Sequence, residues 1–228
     1  VSGPAAFPAD PDLLRRLDPM LEMLSTAQAS LSSVTDPARA RDVHVRDSLS
    51  GLASVELQAA ARIADIGSGA GFPGIPLAVA LPDSSFDLID SVGRKTAFIA
   101  EVIEQLGLDN ARAVTARSEE WALGEGGEAY DAVTARAVAP LTVLAELASP
   151  LLRRGGVLVA WKGSREEGEE QAIGMLEPRL AMRIRCPLEV EPFPGSRTRH
   201  LYVIEKCGPT PEGLPRRPGM ARKRPFSG

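Results

Sequence analysis

Cysteine is nearly absent from this 228-residue chain. Cys186 and Cys207 stand far apart and outside any CxxC pattern, which argues against a zinc site or a disulfide framework. Histidine is as scarce, with His44 and His200 alone, and no nucleophile, histidine and acid form a covalent-catalysis constellation. Aromatic residues make up 4%, too few for a single-strand nucleic-acid reader built from stacking platforms. No apolar run approaches bilayer-spanning length, and residues 1–20 lack the basic-then-apolar order of a secretory signal. A cytoplasmic protein with no membrane partner is expected. No internal repeat and no long linker marks a second catalytic domain.

What remains is an ordinary globular composition, 44% hydrophobic and 25% charged, long enough to bury a sizeable core. The net charge of −4 is unevenly spread. From Pro209 to Gly228 the tail carries Arg216, Arg217, Arg222, Lys223 and Arg224 against Glu212 alone, a net +4 that leaves −8 for the rest. "LPRRPGMARKRPF" is punctuated by Pro and Gly, so an extended arm rather than a helix is expected, suited to tracking a phosphate backbone. A solvated terminus, or a strap packed through Pro225 and Phe226, are the other readings of the same residues.

Residues 10–60 read as helical, with Pro11 in a first turn, amphipathic spacing in "LLRRLDPMLEML", and Asp47 or Ser48 near the cap of a later helix. From residue 62 short apolar runs alternate with helical stretches. "RIADI", "SFDLID", "ARAVTA", "YDAVTARA" (130–137), "GVLVAWKG", "AMRIRCPLEV" and "RHLYVIEK" read as strands. Between them, 75–81, 94–108, 140–154 and Glu166 to about Leu180 read as helices. The alternation predicts an α/β fold with a mostly parallel seven-stranded sheet covered on both faces. The chain divides into a helical extension (1–60), a main domain (61–208) and a basic Pro-rich arm (209–228).

The densest signal is "DIGSGAGFPG", in which Gly67, Gly69, Gly71 and Gly74 fall between a strand and a helix. So many glycines sacrifice chain entropy, and a ligand lying on bare backbone is one return for it. Gly69, Gly71 and Gly74 match GxGxxG, so a dinucleotide site must be weighed. Against it, Pro73 and Pro76 make a poor frame for amides cradling a pyrophosphate, and Asp65 sets an anion just before the turn. An acid there suits a cationic, phosphate-free ligand such as S-adenosylmethionine. Asp90 closes the second strand, nineteen residues after Gly71, where a carboxylate accepts ribose hydroxyls or caps the next helix. Ser118, Glu119 and Glu120, after the third strand, could meet an adenine edge or begin a solvated helix. A nicotinamide-dependent oxidoreductase and a non-catalytic nucleotide-binding module on the same fold stay open at this point.

The blocks "DIGSGAGFPGIPLAVALPD", "IDSVGRKTAFIAEVIEQLGLDN", "ARSEE", "YDAVTARAVAPL", "VLVAWKG" and "RHLYVIEK" resemble the small-subunit ribosomal RNA guanine-N7 methyltransferase family, RsmG or GidB. The likeness runs from about His44 to Lys206, and the basic tail is similar too. It implies a Rossmann-like class I methyltransferase fold, S-adenosylmethionine as cofactor, and 16S ribosomal RNA or a small-subunit assembly intermediate as partner. The family's cofactor contacts fall on Gly67, Phe72, Ser118, Glu119 and Arg136; Asp65, Gly69, Gly71 and Asp90 join them on the reading of the turn. "VHVRDSL" (43–49) resembles the family's "RHxxDS" segment at the substrate mouth, with Val43 where a basic residue is common. His44, Arg94, Lys95, Lys162 and Arg199 join the tail as candidate RNA contacts, and a monomer is expected. Guanine N7 carries an in-plane lone pair, so no general base is demanded, no catalytic residue is assigned, and no metal is called for.

Overall fold

The computed structural model describes residues 5–6, 10–27, 34, 36–136, 139–165, 167–197 and 199–226. A two-residue strand β1 (Ala5–Ala6) precedes helices α1 (Pro11–Arg16) and α2 (Asp18–Thr26). Asp10 caps α1 by accepting the Asp12 N–H at 3.0 Å, and Pro11 takes the first helical position, where a missing N–H does no harm. Helix α3 (Pro37–Ala40), a π-helical stretch Arg41–Arg46, α4 (Asp47–Leu49) and a 3₁₀ turn Ser50–Ala53 then form one continuous run. Asp47 and Ser48 therefore lie inside a helix rather than at a cap. The Asp47 carboxylate is taken by Arg136 and Arg199 instead of by backbone amides. The cap that does form is Ser54, whose Oγ accepts the Leu57 N–H and opens α5 (Val55–Gln58).

The alternating part follows as β2 (Arg62–Ile66), α6 (Gly74–Ala80), β3 (Ser85–Asp90), α7 (Gly93–Leu106), β4 (Ala111–Thr115), α8 (Ser118–Trp121) and β5 (Tyr130–Arg136). Then come α9 (Leu141–Ala148), β6 (Leu152–Lys162), α10 (Glu167–Leu180), β7 (Met182–Ile184), β8 (Leu188–Glu191), β9 (Arg199–Lys206) and α11 (Met220–Lys223). Ala137, expected in the fifth of these strands, and Glu166, expected at a helix start, lie outside the described residues, as do 28–33 and 35.

Among the described residues the sheet runs β1-β8-β9-β6-β5-β2-β3-β4, with β7 also on β9. Strands β2 to β6 are parallel, and β9 is antiparallel to β6, β7 and β8. Alternate residues feed two cores. Ile63, Ala132 and Val157 face α1, α2, α6 and α7, while Ala64, Val133 and Leu158 face α9 and α10. The N-terminal helices thus share one core with the sheet. No described helix is long and apolar enough to cross a membrane.

Three further local expectations change. The single strand expected over 181–190 is two, because Pro187 offers no N–H to the ladder and the pairing with β9 slips by one residue across it. The helix expected over 140–154 ends at Ala148. Pro150 cannot continue it, and Leu152 already pairs with Tyr130 in the sheet. The tail is not an extended arm. It lies on the second core as a strap with its own short helix, and Arg216 makes a two-pronged ion pair with Glu146 of α9, both contacts at 2.6 Å.

The strand order reverses between β2 and β5, and a crevice opens there at the carboxyl ends of the strands. The turn after β2 is tied down on all sides. Gly67 and Ser68 donate to the Ile89 carbonyl at 2.8 and 3.1 Å, and Gly69 donates to Asp90 Oδ2 at 3.1 Å. Asp65 pins the turn from beneath, accepting Thr134 Oγ1–H at 2.8 Å and Gly74 N–H at 3.2 Å while fully buried.

Burial pushes the Asp65 carboxyl up to about 6 from an ordinary 3.8. Below about pH 4 the group is neutral whether the chain is folded or unfolded. From there to about 6 the unfolded chain releases the proton and the folded chain keeps it, so the stability present at low pH is lost as pH rises. Measured by urea titration, wild type should lose on the order of 3 kcal/mol relative to Asp65→Asn between pH 4 and 7.5. Parallel stability curves for the two proteins would contradict this assignment.

Candidate functional site

The crevice at the strand ends is a cleft of about 980 Å³. Its floor is the turn after β2, where Gly67 and Gly69 adopt φ of +67° and +60°, left-handed values that favour glycine. A Cβ on Gly69 would meet nothing nearer than 3.9 Å, so bare main chain faces open space. The other two glycines serve packing. A Cβ on Gly71 would lie 2.7 Å from Ile75 and 3.2 Å from Met20, and one on Gly74 would lie 2.1 Å from Leu88. Neither Gly71 nor Asp65, both expected at the ligand, lines the cleft; they shape its floor from behind. The physical reason is the inward roll of the turn, which sends Asp65 to Thr134 and Gly71 to the N-terminal helices.

One side of the cleft is acidic. Asp90 lines it, with its carboxylate accepting the Gly69 and Val92 amides and lying 3.6 Å from Lys95 Nζ. It therefore caps the following turn and faces the cleft at once. Ser118 and Glu119, at the start of α8, line the same side, and Ser118 Oγ lies 3.2 Å from Glu119 Oε2. Helix α8 is fixed from behind, since Trp121 Nε1 donates to Tyr130 Oη at 2.7 Å and Tyr130 Oη donates to Asp87 at 2.6 Å.

The opposite wall is built by the helical run 37–53. Arg136, at the end of β5, donates to the carbonyls of Val43 and His44 and pairs with Asp47 Oδ2 at 2.9 Å. Its guanidinium lies 5.4 Å from the centroid of Phe72, and the His44 ring stacks on Phe72 at 4.9 Å. Trp161 donates to the Asp47 carbonyl at 2.8 Å and crosses Gly51, where a Cβ would be 2.4 Å from its ring. Burial, then the Arg136 charge, push His44 down to about 4, against a smaller opposing pull from Asp47, so its imidazole is neutral at pH 7.

The expected RNA contacts divide. Lys95, Lys162, Arg199 and Arg222 line the cleft, with Lys162 paired to Glu169 at 2.8 Å and Arg199 to Asp47 at 3.3 Å. Arg94 is exposed on α7 away from it, and Arg217, Lys223 and Arg224 are exposed on the strap. Arg216 is held by the buried Glu146 and is not available to a phosphate. Sequence reasoning missed Glu146 and the double role of Asp47. A lone acid in the otherwise apolar "LTVLAELA" was the signal for the first, because a buried carboxylate demands a cation.

The family model for GidB, rRNA small subunit methyltransferase G, matches residues 14–177. The ribosomal RNA small subunit methyltransferase G of Pelotomaculum thermopropionicum is 42% identical over 202 residues, 86% of this chain and 83% of that protein. A Synechococcus protein of the same description is 39% identical over 227 residues, 93% of this chain and 84% of its own. Among solved structures, a SAM-dependent methyltransferase from Aquifex aeolicus aligns with TM-score 0.54 at 16% identity, over 87% of this chain and 100% of its own. Cofactor-bound Rv0187 from MTB aligns with TM-score 0.57, also at 16%, over 87% and 92%. At that identity the two structures speak for the fold, a class I methyltransferase fold as expected.

With two histidines in the chain, the His44 ring signals are readily assigned by NMR. Their midpoint is expected near pH 4, and Arg136→Gln should move it upward by removing a neighbouring positive charge. A midpoint near 6.5 that ignores the substitution would contradict the wall described above.

Proposed function

The chain belongs to the rRNA small subunit methyltransferase G family, and on that premise we infer that it methylates N7 of a guanine in 16S ribosomal RNA, using S-adenosylmethionine. The observation that supports this best is the bare turn at Gly67 and Gly69 facing a cleft beside the Asp90 carboxylate. A ligand with ribose hydroxyls and no phosphate fits that donor set, because the Gly69 amide is already committed to Asp90 and offers no anion nest. Gly67, Gly69 and Asp90 would hold the nucleoside, with Ser118 and Glu119 at the base. Phe72 and Arg136 would flank the amino-acid part. When bound, the cofactor supplies an electrophilic methyl group on a sulfonium.

This chain's residues contribute position and dryness. Guanine N7 needs no deprotonation, and a neutral His44 held at the Phe72 face makes no demand for a base. Ile66, Phe72, Ile89 and Trp161 give the cleft an apolar share of its lining, against which bound cofactor and base would displace water. Holding two reactants in line in such a site contributes on the order of 7–11 kcal/mol of barrier lowering. In paired RNA the N7 edge faces a deep, narrow major groove, so the target we infer is an unstacked or partly exposed guanine, presented in naked small-subunit RNA or an assembly intermediate. Lys95, Arg199, Arg222 and the exposed Arg94, Arg217, Lys223 and Arg224 would meet phosphates. The ribosomal RNA substrate supports a cytoplasmic site of action, and the chain is read as acting as a monomer.

The test is transfer of labelled methyl to small-subunit RNA lacking the modification, followed by digestion to nucleosides and mass spectrometry. Label recovered as 7-methylguanosine is expected. Label on an exocyclic amine or on a pyrimidine would contradict the reading.

A further inference from the structure

The tail crosses the molecule on its way to the cleft, and its contacts are specific. Lys206, fully buried at the end of β9, donates to the Leu152 carbonyl and at 2.9 Å to Thr210, whose N–H and hydroxyl both reach Glu128. Arg216 then enters its two-pronged pair with Glu146, a carboxylate only 3% exposed, and also donates to the Arg224 carbonyl at 2.9 Å. Phe226 lies between two guanidinium groups, those of Arg179 and Arg216, each 3.9 Å from its ring centroid. Between these anchors the chain turns at Gly219, with φ +79°, and the Gly219 N–H donates to Glu119 Oε1 at 2.7 Å. Gly219 and Arg222 both line the cleft.

We propose that the strap of residues 209–226 is a working part of the cofactor site: Gly219 fixes the Glu119 carboxylate at the cleft, and Arg216 is the positioning residue that holds Gly219 there. The proposal rests on the reading that Glu119 meets the cofactor. A glutamate has three rotatable side-chain bonds, and an unanchored one must be ordered each time ligand binds. With Oε1 held by Gly219 and Oε2 beside Ser118, that ordering is done in advance. Helix α8 is then fixed on both sides, by Trp121 behind and the strap in front. This gives the basic tail a role distinct from phosphate contact. Its most buried cation serves the small ligand, and its exposed cations are left for the RNA.

Full-length wild type, Arg216→Gln and Arg217→Gln separate the two roles, since both variants lose one tail charge and only the first loses the anchor. S-adenosylmethionine is titrated into each by calorimetry, and methyl transfer is measured with cofactor and RNA varied in turn. Arg216→Gln should bind cofactor about tenfold more weakly and raise the cofactor KM alike. Its kcat at saturating cofactor should hold, and its RNA KM should shift no more than in Arg217→Gln. Arg217→Gln should keep wild-type cofactor affinity. Phe226→Ala, which leaves the buried ion pair whole, is the second variant and should weaken cofactor binding in the same direction even if Arg216→Gln is too unstable to assay. Unchanged cofactor affinity in Phe226→Ala and in folded Arg216→Gln, or equal loss in Arg216→Gln and Arg217→Gln, overturns the proposal. Wild type that fails to bind S-adenosylmethionine would instead overturn the cofactor reading beneath it.

Discussion

A Cβ on Gly74 would lie 2.1 Å from Leu88 and 2.8 Å from the Asp65 carboxylate, so only a residue without a side chain lets α6 begin directly against β2 and β3. That close return is what rolls the turn inward. Once rolled, the turn gives its amides to Ile89 and Asp90 and sets Gly67 and Gly69 with bare backbone toward the cleft. Asp65 is the buried peg of this arrangement, its carboxyl pushed up to about 6 by burial and bonded to Thr134 on the next strand across the reversal point. Gly71, pressed on Ile75 and Met20, carries the constraint into the N-terminal helices, which therefore cannot shift without disturbing the floor of the site.

The two cleft walls are assembled by long-range charge pairs rather than by local sequence. Asp47, inside the helical run 37–53, receives Arg136 from β5 and Arg199 from β9, with side-chain exposure of 10% for the acid. Truncating Asp47 would leave both arginines without this partner, so the wall and the strands are bound to each other. The Arg216–Glu146 pair repeats the device on the other face, where it seats the strap. Both pairs join segments that the hydrophobic pattern alone would leave independent.

The alternation of strands and helices was legible because parallel strands buried on both faces read as short apolar runs, and RIADI, SFDLID and YDAVTAR did so. The glycine turn and the acid ending β3 were legible too, though not the division of labour among the glycines, which depends on Leu88, Ile75 and Met20 from distant elements. The helix expected through residue 154 shows the limit of local pattern. Leu151 and Leu152 suit a helix and a buried strand equally, and the pairing with Tyr130 decides. The tail misled for a similar reason. Its composition is that of a solvated arm, and the buried Glu146 that captures Arg216 sits 70 residues away in the chain.

The proposed cofactor site depends on the bare backbone at Gly69. Gly69→Val tests it, because the position has open space toward the cleft and a β-branched side chain resists φ of +60°. Calorimetric titration of S-adenosylmethionine into this variant, with cooperative unfolding confirming its fold, should show binding lost. A folded Gly69→Val that binds the cofactor as wild type does would contradict the account.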